Sequence, residues 1–223
     1  MVALGEDAAV PGGVSASKRP PLRRRLFAGG VYGNRELTAA TGALILILMA
    51  ALAVTVIAIG PLLGAHMFLG MVLLAPVALK LGSVSYRFTQ YYAGNASYRK
   101  RGLPEMVMLV LGPLVVITTV IVFASGVVLL LAGPSSRGVW NPIHKISFGI
   151  WLAVWWGHVI LHVPDLPKLW QARRRERERP WDDLGSGRGG RALSLAAALV
   201  LGAIIAILTL PLFGAWTHWQ HLH

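Results

Sequence analysis

Apolar residues in this chain gather into long runs, at 38–60, 62–84, 106–132, 142–163 and 192–216. Each is near or above the roughly 20 residues that carry a helix across a bilayer's hydrocarbon core. With water excluded, such segments satisfy their own backbone groups only as helices. The pattern therefore predicts an all-α integral membrane protein with five transmembrane helices. Gly60, Pro61 and Gly64 break the chain tightly between the first two runs. The second run is expected to continue as helix into SYRFTQYY, where Tyr86, Tyr91 and Tyr92 suit the membrane interface. Pro76 and Pro113 are candidate kinks. PSSRGVWNP reads as a short loop anchored by Trp140, and DLPKLWQARRRERERPWDDLGSGRGG as a long loop with an interfacial helix and a flexible Gly-rich end.

Composition supports the membrane class. Of 223 residues, 55% are hydrophobic and only 13% charged, against about 25% charged in a soluble domain. The net charge of +12 invites a nucleic-acid reading, but its distribution points elsewhere. If the spans alternate, 18 of the 21 basic residues fall on one side, in the segments before span one, between spans two and three, and between spans four and five. Arg137 and Lys145 fall on the other side, and Lys80 lies within span two. By the positive-inside rule the N-terminus is cytoplasmic and the C-terminus outside. Residues 1–35 then form a disordered basic tail without a signal-peptide h-region, 36–216 the membrane bundle, and 217–223 a short outer tail. RRRERER reads as an ordinary cytoplasmic loop, or alternatively as a patch for lipid or a partner.

The candidate chemistry is histidine. There is no cysteine, which excludes disulfides, thiolate-ligated clusters and covalent CxxCH haem attachment. His66, His144, His158 and His162 lie in or at the edge of spans, while His218, His221 and His223 sit in the terminal tail, where they resemble either a metal-binding tract or part of an interface anchor. A polar side chain in a membrane helix is costly and must find partners, so function is its default reading. His144 and His158 are 14 residues apart, a step of about four turns less 40° and a climb of about 21 Å. They project from one face at opposite depths, too far apart to share one metal ion. His158 and His162 have i, i+4 spacing that suits a shared ion, although His162 equally marks the interface before Pro164. His66 enters span two at nearly the depth at which His144 enters span four, and both spans run in the same direction. Such a pair can clamp a planar macrocycle, and haem b accepts axial histidine without covalent attachment. Gly64, Ala65 and Gly70 leave room beside His66; Phe148, Trp151, Trp155 and Trp156 line span four. Lys145 and Arg137 lie where haem propionates would point, or where lysine and arginine snorkel.

His144-x13-His158, matched by a histidine on another span, resembles the membrane b-type cytochromes of respiratory and molybdoenzyme complexes. HMFLGMVLLAPVALKLGSVSYRF and HKISFGIWLAVWWGHVILH likewise resemble small bacterial b-type membrane cytochromes. In that family two helices each carry two histidines at about this spacing, and the four hold two haems. The resemblance covers residues 61–164 and implies that His66 and His144 bind an outer haem and His158 one side of an inner haem. This chain departs from the pattern at Lys80, which stands fourteen residues after His66 in place of a histidine. Three arrangements are compatible with that departure. One haem is held and His158 packs or supports; Lys80 and His158 hold a second haem through a neutral amine; or His158 replaces His144 opposite His66.

The resemblance thus implies an electron-transfer subunit in the bacterial cytoplasmic membrane. It would exchange electrons with the quinone pool and an extracytoplasmic partner, such as a molybdopterin oxidoreductase. All nine acidic residues fall in cytoplasmic segments or at that edge, and no acid–base or nucleophile constellation is present. The competing classes are a proton or metal-ion transporter that uses the histidines as relays or ligands, and a non-redox membrane anchor subunit. The scarcity of mid-depth carboxylates disfavours a proton relay.

Overall fold

A computed structural model describes residues 30–94, 106–162 and 188–222. They form five helices: α1 Gly30–Ile57, α2 Ile59–Tyr92, α3 Met106–Ala132, α4 Arg137–His162 and α5 Arg188–Leu222. A 3-10 turn, Pro134–Ser136, joins α3 to α4, and there is no strand among the described residues. Residues 1–29 and 163–187, with the basic RRRERER run, lie outside the described residues.

The helix ends follow local chemistry. Between α1 and α2 the break is a single residue, Ala58, and the helical hydrogen bonding nearly bridges it: Ala58 N donates to Val54 O at 3.3 Å and Leu62 N to Ala58 O at 3.1 Å. Pro61 falls in the first turn of α2, where a missing N–H costs nothing, and Leu62 beside it absorbs the turn with φ −105° and ψ 16°. The break therefore comes just before Gly60-Pro61. At the end of α3, Gly133 takes φ 74°, a left-handed conformation that glycine adopts without a Cβ penalty. Pro134 then opens the 3-10 turn, and Ser136 N closes it on Gly133 O at 3.2 Å.

α2 runs to Tyr92, as SYRFTQYY predicts, and stays helical through Pro76. α3 likewise continues through Pro113. Two boundaries differ from expectation. The loop PSSRGVWNP is helical from Arg137 onward, because Pro142 lies only five residues inside α4 and disturbs just its first turns. THWQHL continues α5 to Leu222 rather than forming a separate tail.

α2 packs along both α1 and α5, and α3 pairs with α4 as a hairpin; shorter contacts join α3 to α2 and α5. Where the groups meet, Met71 and Val72 of α2, Leu130 of α3, and Ala206, Phe213 and Trp216 of α5 form the core. Trp216 Nε1 reaches Leu130 O at 3.5 Å. The C-terminal ends of α1, α3 and α5 thus lie at the same end of the bundle as the N-terminal ends of α2 and α4. Polar pairs close the opposite end. Arg191 of α5 meets Glu36 of α1 at 2.6 Å. Asn34 Nδ2 donates to Ser83 O at 3.1 Å, and Thr38 Oγ1 lies 3.0 Å from Ser83 Oγ.

The outward faces are apolar: Ile47, Ile57, Val110, Leu131 and Leu208 are each largely exposed. Four helices contain stretches long and apolar enough to cross a membrane: Glu36–Ile57, Ile59–Gln90, Val110–Ala132 and Gly189–His218. The described residues are all-helical in their regular structure, and the protein is a multi-pass membrane protein. α4 is the fifth helix and is not among these four, because Asn141, His144, Lys145, His158, His162 and its tryptophans dilute its apolar content. The helix least suited to lipid by composition is the one that carries most of the candidate chemistry.

Candidate functional site

His66 lies seven residues after the start of α2 and His144 seven residues after the start of α4. Since both helices start at the same end, the two imidazoles share a depth. Both are half-buried, and they stand close enough to interact electrostatically.

Each ring is held by a hydroxyl from the neighbouring helix of its own hairpin. Thr55 of α1 is buried and its Oγ1 donates to Leu52 O at 2.5 Å. Its other partner is His66 Nδ1, 3.0 Å away, a contact in which the imidazole tautomer sets which group donates. The arrangement repeats at His144. Ser125 Oγ of α3 donates to Val122 O at 2.9 Å and lies 3.0 Å from His144 Nδ1. Ser147 of α4 extends the cluster: its Oγ is 3.0 Å from Ser125 Oγ and 2.9 Å from the carbonyl of His144. Both serines are buried.

Gly126 makes the approach of His144 to α3 possible. A Cβ at that position would stand 3.0 Å from His144 Cε1 and 3.4 Å from Nδ1. The Cε1 edge of the imidazole faces α3 there, with Nε2 3.7 Å from the same Cβ position. Gly126→Val is accordingly expected to push the ring off Ser125 and to cost about 1–3 kcal/mol, the range for overpacking. Thermal unfolding of the two proteins in detergent reads this directly, and Gly126→Ala should show a smaller fall of the same sign.

Below His144 an aromatic row continues along α4. Phe148 and Trp151 stack with centroids 6.1 Å apart and planes at 25°. Trp151 and Trp155 stack at 5.9 Å and 22°, and Trp155 meets Trp156 edge-on at 5.3 Å and 74°. Trp151 is buried and donates from Nε1 to Thr119 Oγ1 at 3.0 Å, which ties the row to α3. His144, Phe148, Trp151, Trp155 and His158 follow one another by steps of four and three, so they occupy one face of α4.

The other predicted site residues stand apart from this pair. His158 is half-buried at the far end of the aromatic row. Lys80 Nζ turns toward α1 and donates to Thr38 O at 2.6 Å. Gly42 admits it, since a Cβ there would lie 2.9 Å from Nζ. Lys145 and His218 are exposed. The side chains of His162 and His221, and all of His223, lie outside the described residues.

Sequence reasoning missed Thr55, Ser125, Ser147 and Gly126. The available signal was a hydroxyl inside an apolar run, but such residues usually bond the preceding turn of their own helix. Thr41, Thr118 and Thr209 do so here.

Two imidazoles are too few for a closed structural metal site, which takes four protein ligands. Among the described residues no three His, Cys, Asp or Glu side chains gather as a metal site. Comparison with protein-family models, curated proteins and solved structures gives no match to this chain.

Proposed function

We propose that this protein is a b-type cytochrome of the bacterial cytoplasmic membrane, with haem b held between His66 and His144. The observation that supports it most is the matched pair: two histidines at one depth on α2 and α4, each with Nδ1 committed to a hydroxyl. Metal-ligating histidines almost always donate their other ring N–H to a fixed acceptor. Haem supplies a one-electron couple and four equatorial nitrogens, so it asks the protein for two axial donors. His66 and His144 would be those donors, and the apolar surroundings would exclude water from the iron.

In this reading all five helices cross the membrane, with α4 shielded from lipid along its aromatic face by α3. The N-terminus is cytoplasmic and the C-terminus outside, which places the haem toward the outer leaflet. Electrons then pass between the quinone pool and an extracytoplasmic redox protein; a molybdopterin oxidoreductase is the partner class that the family resemblance implies.

The test is to purify the protein from haem-supplied cells and record its spectrum. A Soret band with a reduced α peak, and one haem per chain by pyridine haemochrome, is the expected result. A colourless protein overturns the reading.

The engagement of Lys80 favours one haem over two. Its amine is taken by Thr38 O, and Thr38 is tied in turn to Ser83. Lys80→Met is therefore expected to leave the haem content unchanged. It should lower stability by about 1.5–3 kcal/mol, the range for a hydrogen bond to a charged group. A fall from two haems to one in that variant would show instead that Lys80 is a ligand.

A further inference from the structure

We propose that Thr55 and Ser125 are the positioning residues of the haem ligands, and that each helical hairpin is an equivalent half-site with one histidine and its own orienting hydroxyl. The inference rests on the cytochrome reading for its redox consequence, but its geometry stands on the hydrogen bonds alone.

The two half-sites share one pattern of contacts. In the α1–α2 hairpin, His66 Nδ1 meets Thr55 Oγ1 at 3.0 Å, and that hydroxyl donates to the carbonyl of Leu52, three residues earlier. In the α3–α4 hairpin, His144 Nδ1 meets Ser125 Oγ at 3.0 Å, and that hydroxyl donates to the carbonyl of Val122, again three residues earlier. A backbone carbonyl can only accept, so with each hydroxyl's proton on its carbonyl the bonds run from imidazole to hydroxyl to carbonyl. That direction assigns the imidazole proton to Nδ1. An isolated neutral imidazole is free to carry its proton on either nitrogen; with Nδ1 donating to the hydroxyl, Nε2 is the unprotonated nitrogen of each ring.

Fixing the tautomer has two effects on a bound iron. The ring is already oriented and its donor atom unprotonated, so binding loses nothing to reorganisation. The hydroxyl also draws weakly on the Nδ1 proton, which raises the ring's basicity and favours ferric over ferrous iron. A neutral hydroxyl does this less than a carboxylate. The His144 half-site has one further hydroxyl, Ser147, whose Oγ lies 3.0 Å from Ser125 Oγ.

The first test needs no haem. Apoprotein labelled with 15N-histidine, in lipid, is expected to show two imidazoles protonated at Nδ1 by solid-state NMR, each lost in the corresponding His66→Ala or His144→Ala variant. Finding either ring protonated at Nε2 overturns the inference. The second test uses the haem-loaded protein. Thr55→Val, and the double variant Ser125→Ala with Ser147→Ala, are expected to bind haem about 10–100-fold more weakly and to show a raised midpoint potential. A tenfold greater loss of affinity for the ferric than the ferrous state corresponds to about 59 mV. Thr55→Ser should restore both values. If these variants fold, bind haem and keep the native affinity, EPR spectrum and potential, the hydroxyls do not position the ligands, and the cytochrome reading stands without them. If the native protein shows the Nδ1–H tautomers yet takes up no haem, the cytochrome reading and the redox role of the hydroxyls fall together.

Discussion

His66→Ala and His144→Ala should each abolish haem binding, on the proposed reading of the protein as a b-type cytochrome. The outer-shell partners of a metal-bound histidine account for about 10–100-fold in affinity, and removing the donor itself exceeds that range. Each variant is expected to retain less than about a tenth of the native haem at the same expression level, a loss of at least the size that one outer-shell partner causes. His158→Ala is the control. It lies on α4 two heptads from His144, at the other end of the aromatic row, and the variant should keep its haem and its α peak. Pyridine haemochrome on the three variants decides the matter. If His158→Ala loses the haem while His144→Ala keeps it, His158 is the true partner of His66, and the shared depth of His66 and His144 has no ligand role.

The placement of these histidines along the helices was partly legible in the sequence. Depth and direction follow from counting residues along apolar runs, so His66 and His144 can be paired before any coordinates are known. The helical continuation into SYRFTQYY was legible for the same reason, since it contains no breaker. Two kinds of information were not. Helix starts depend on a few backbone bonds at the interface, so α4 begins at Arg137, earlier than the apolar run at 142 suggests. The orienting hydroxyls depend on which face of α1 meets α2 and which face of α3 meets α4. A threonine at 55 or a serine at 125 carries no mark that separates it from Thr118 or Thr209, which also bond one turn back. What separates them is a histidine across the helix interface, and only the packing supplies that.

The packing itself turns on one residue, and its replacement should be the most damaging change away from the histidines. Gly202 of α5 lies directly against the backbone of Val72 in α2. A Cβ on residue 202 would overlap the Val72 carbonyl oxygen and stand only 3.0 Å from its carbon and 3.3 Å from its Cα. Those atoms belong to a helix backbone, so no side-chain rotation relieves the clash. Small residues allow such close approach between membrane helices, where van der Waals packing replaces the hydrophobic effect as the force that joins them. Even Gly202→Ala must push α2 and α5 apart. Gly202→Val adds two methyl groups to the same gap, and it should cost at least the about 1–3 kcal/mol typical of overpacking. The separation would open the core around Met71, Val72, Ala206 and Phe213, about 9 Å along α2 from His66, six residues at 1.5 Å each. On the proposed reading, haem affinity should therefore fall together with stability, although Gly202 touches neither histidine. Gly214 on the same helix provides the comparison, because no heavy atom lies within 4 Å of a Cβ built there. Gly214→Ala should be neutral or stabilise by up to about 1 kcal/mol through helix propensity. Unfolding temperature and haem content measured in one detergent separate the two outcomes: a Gly202→Val protein as stable as the native one would mean that α2 and α5 do not meet backbone to backbone.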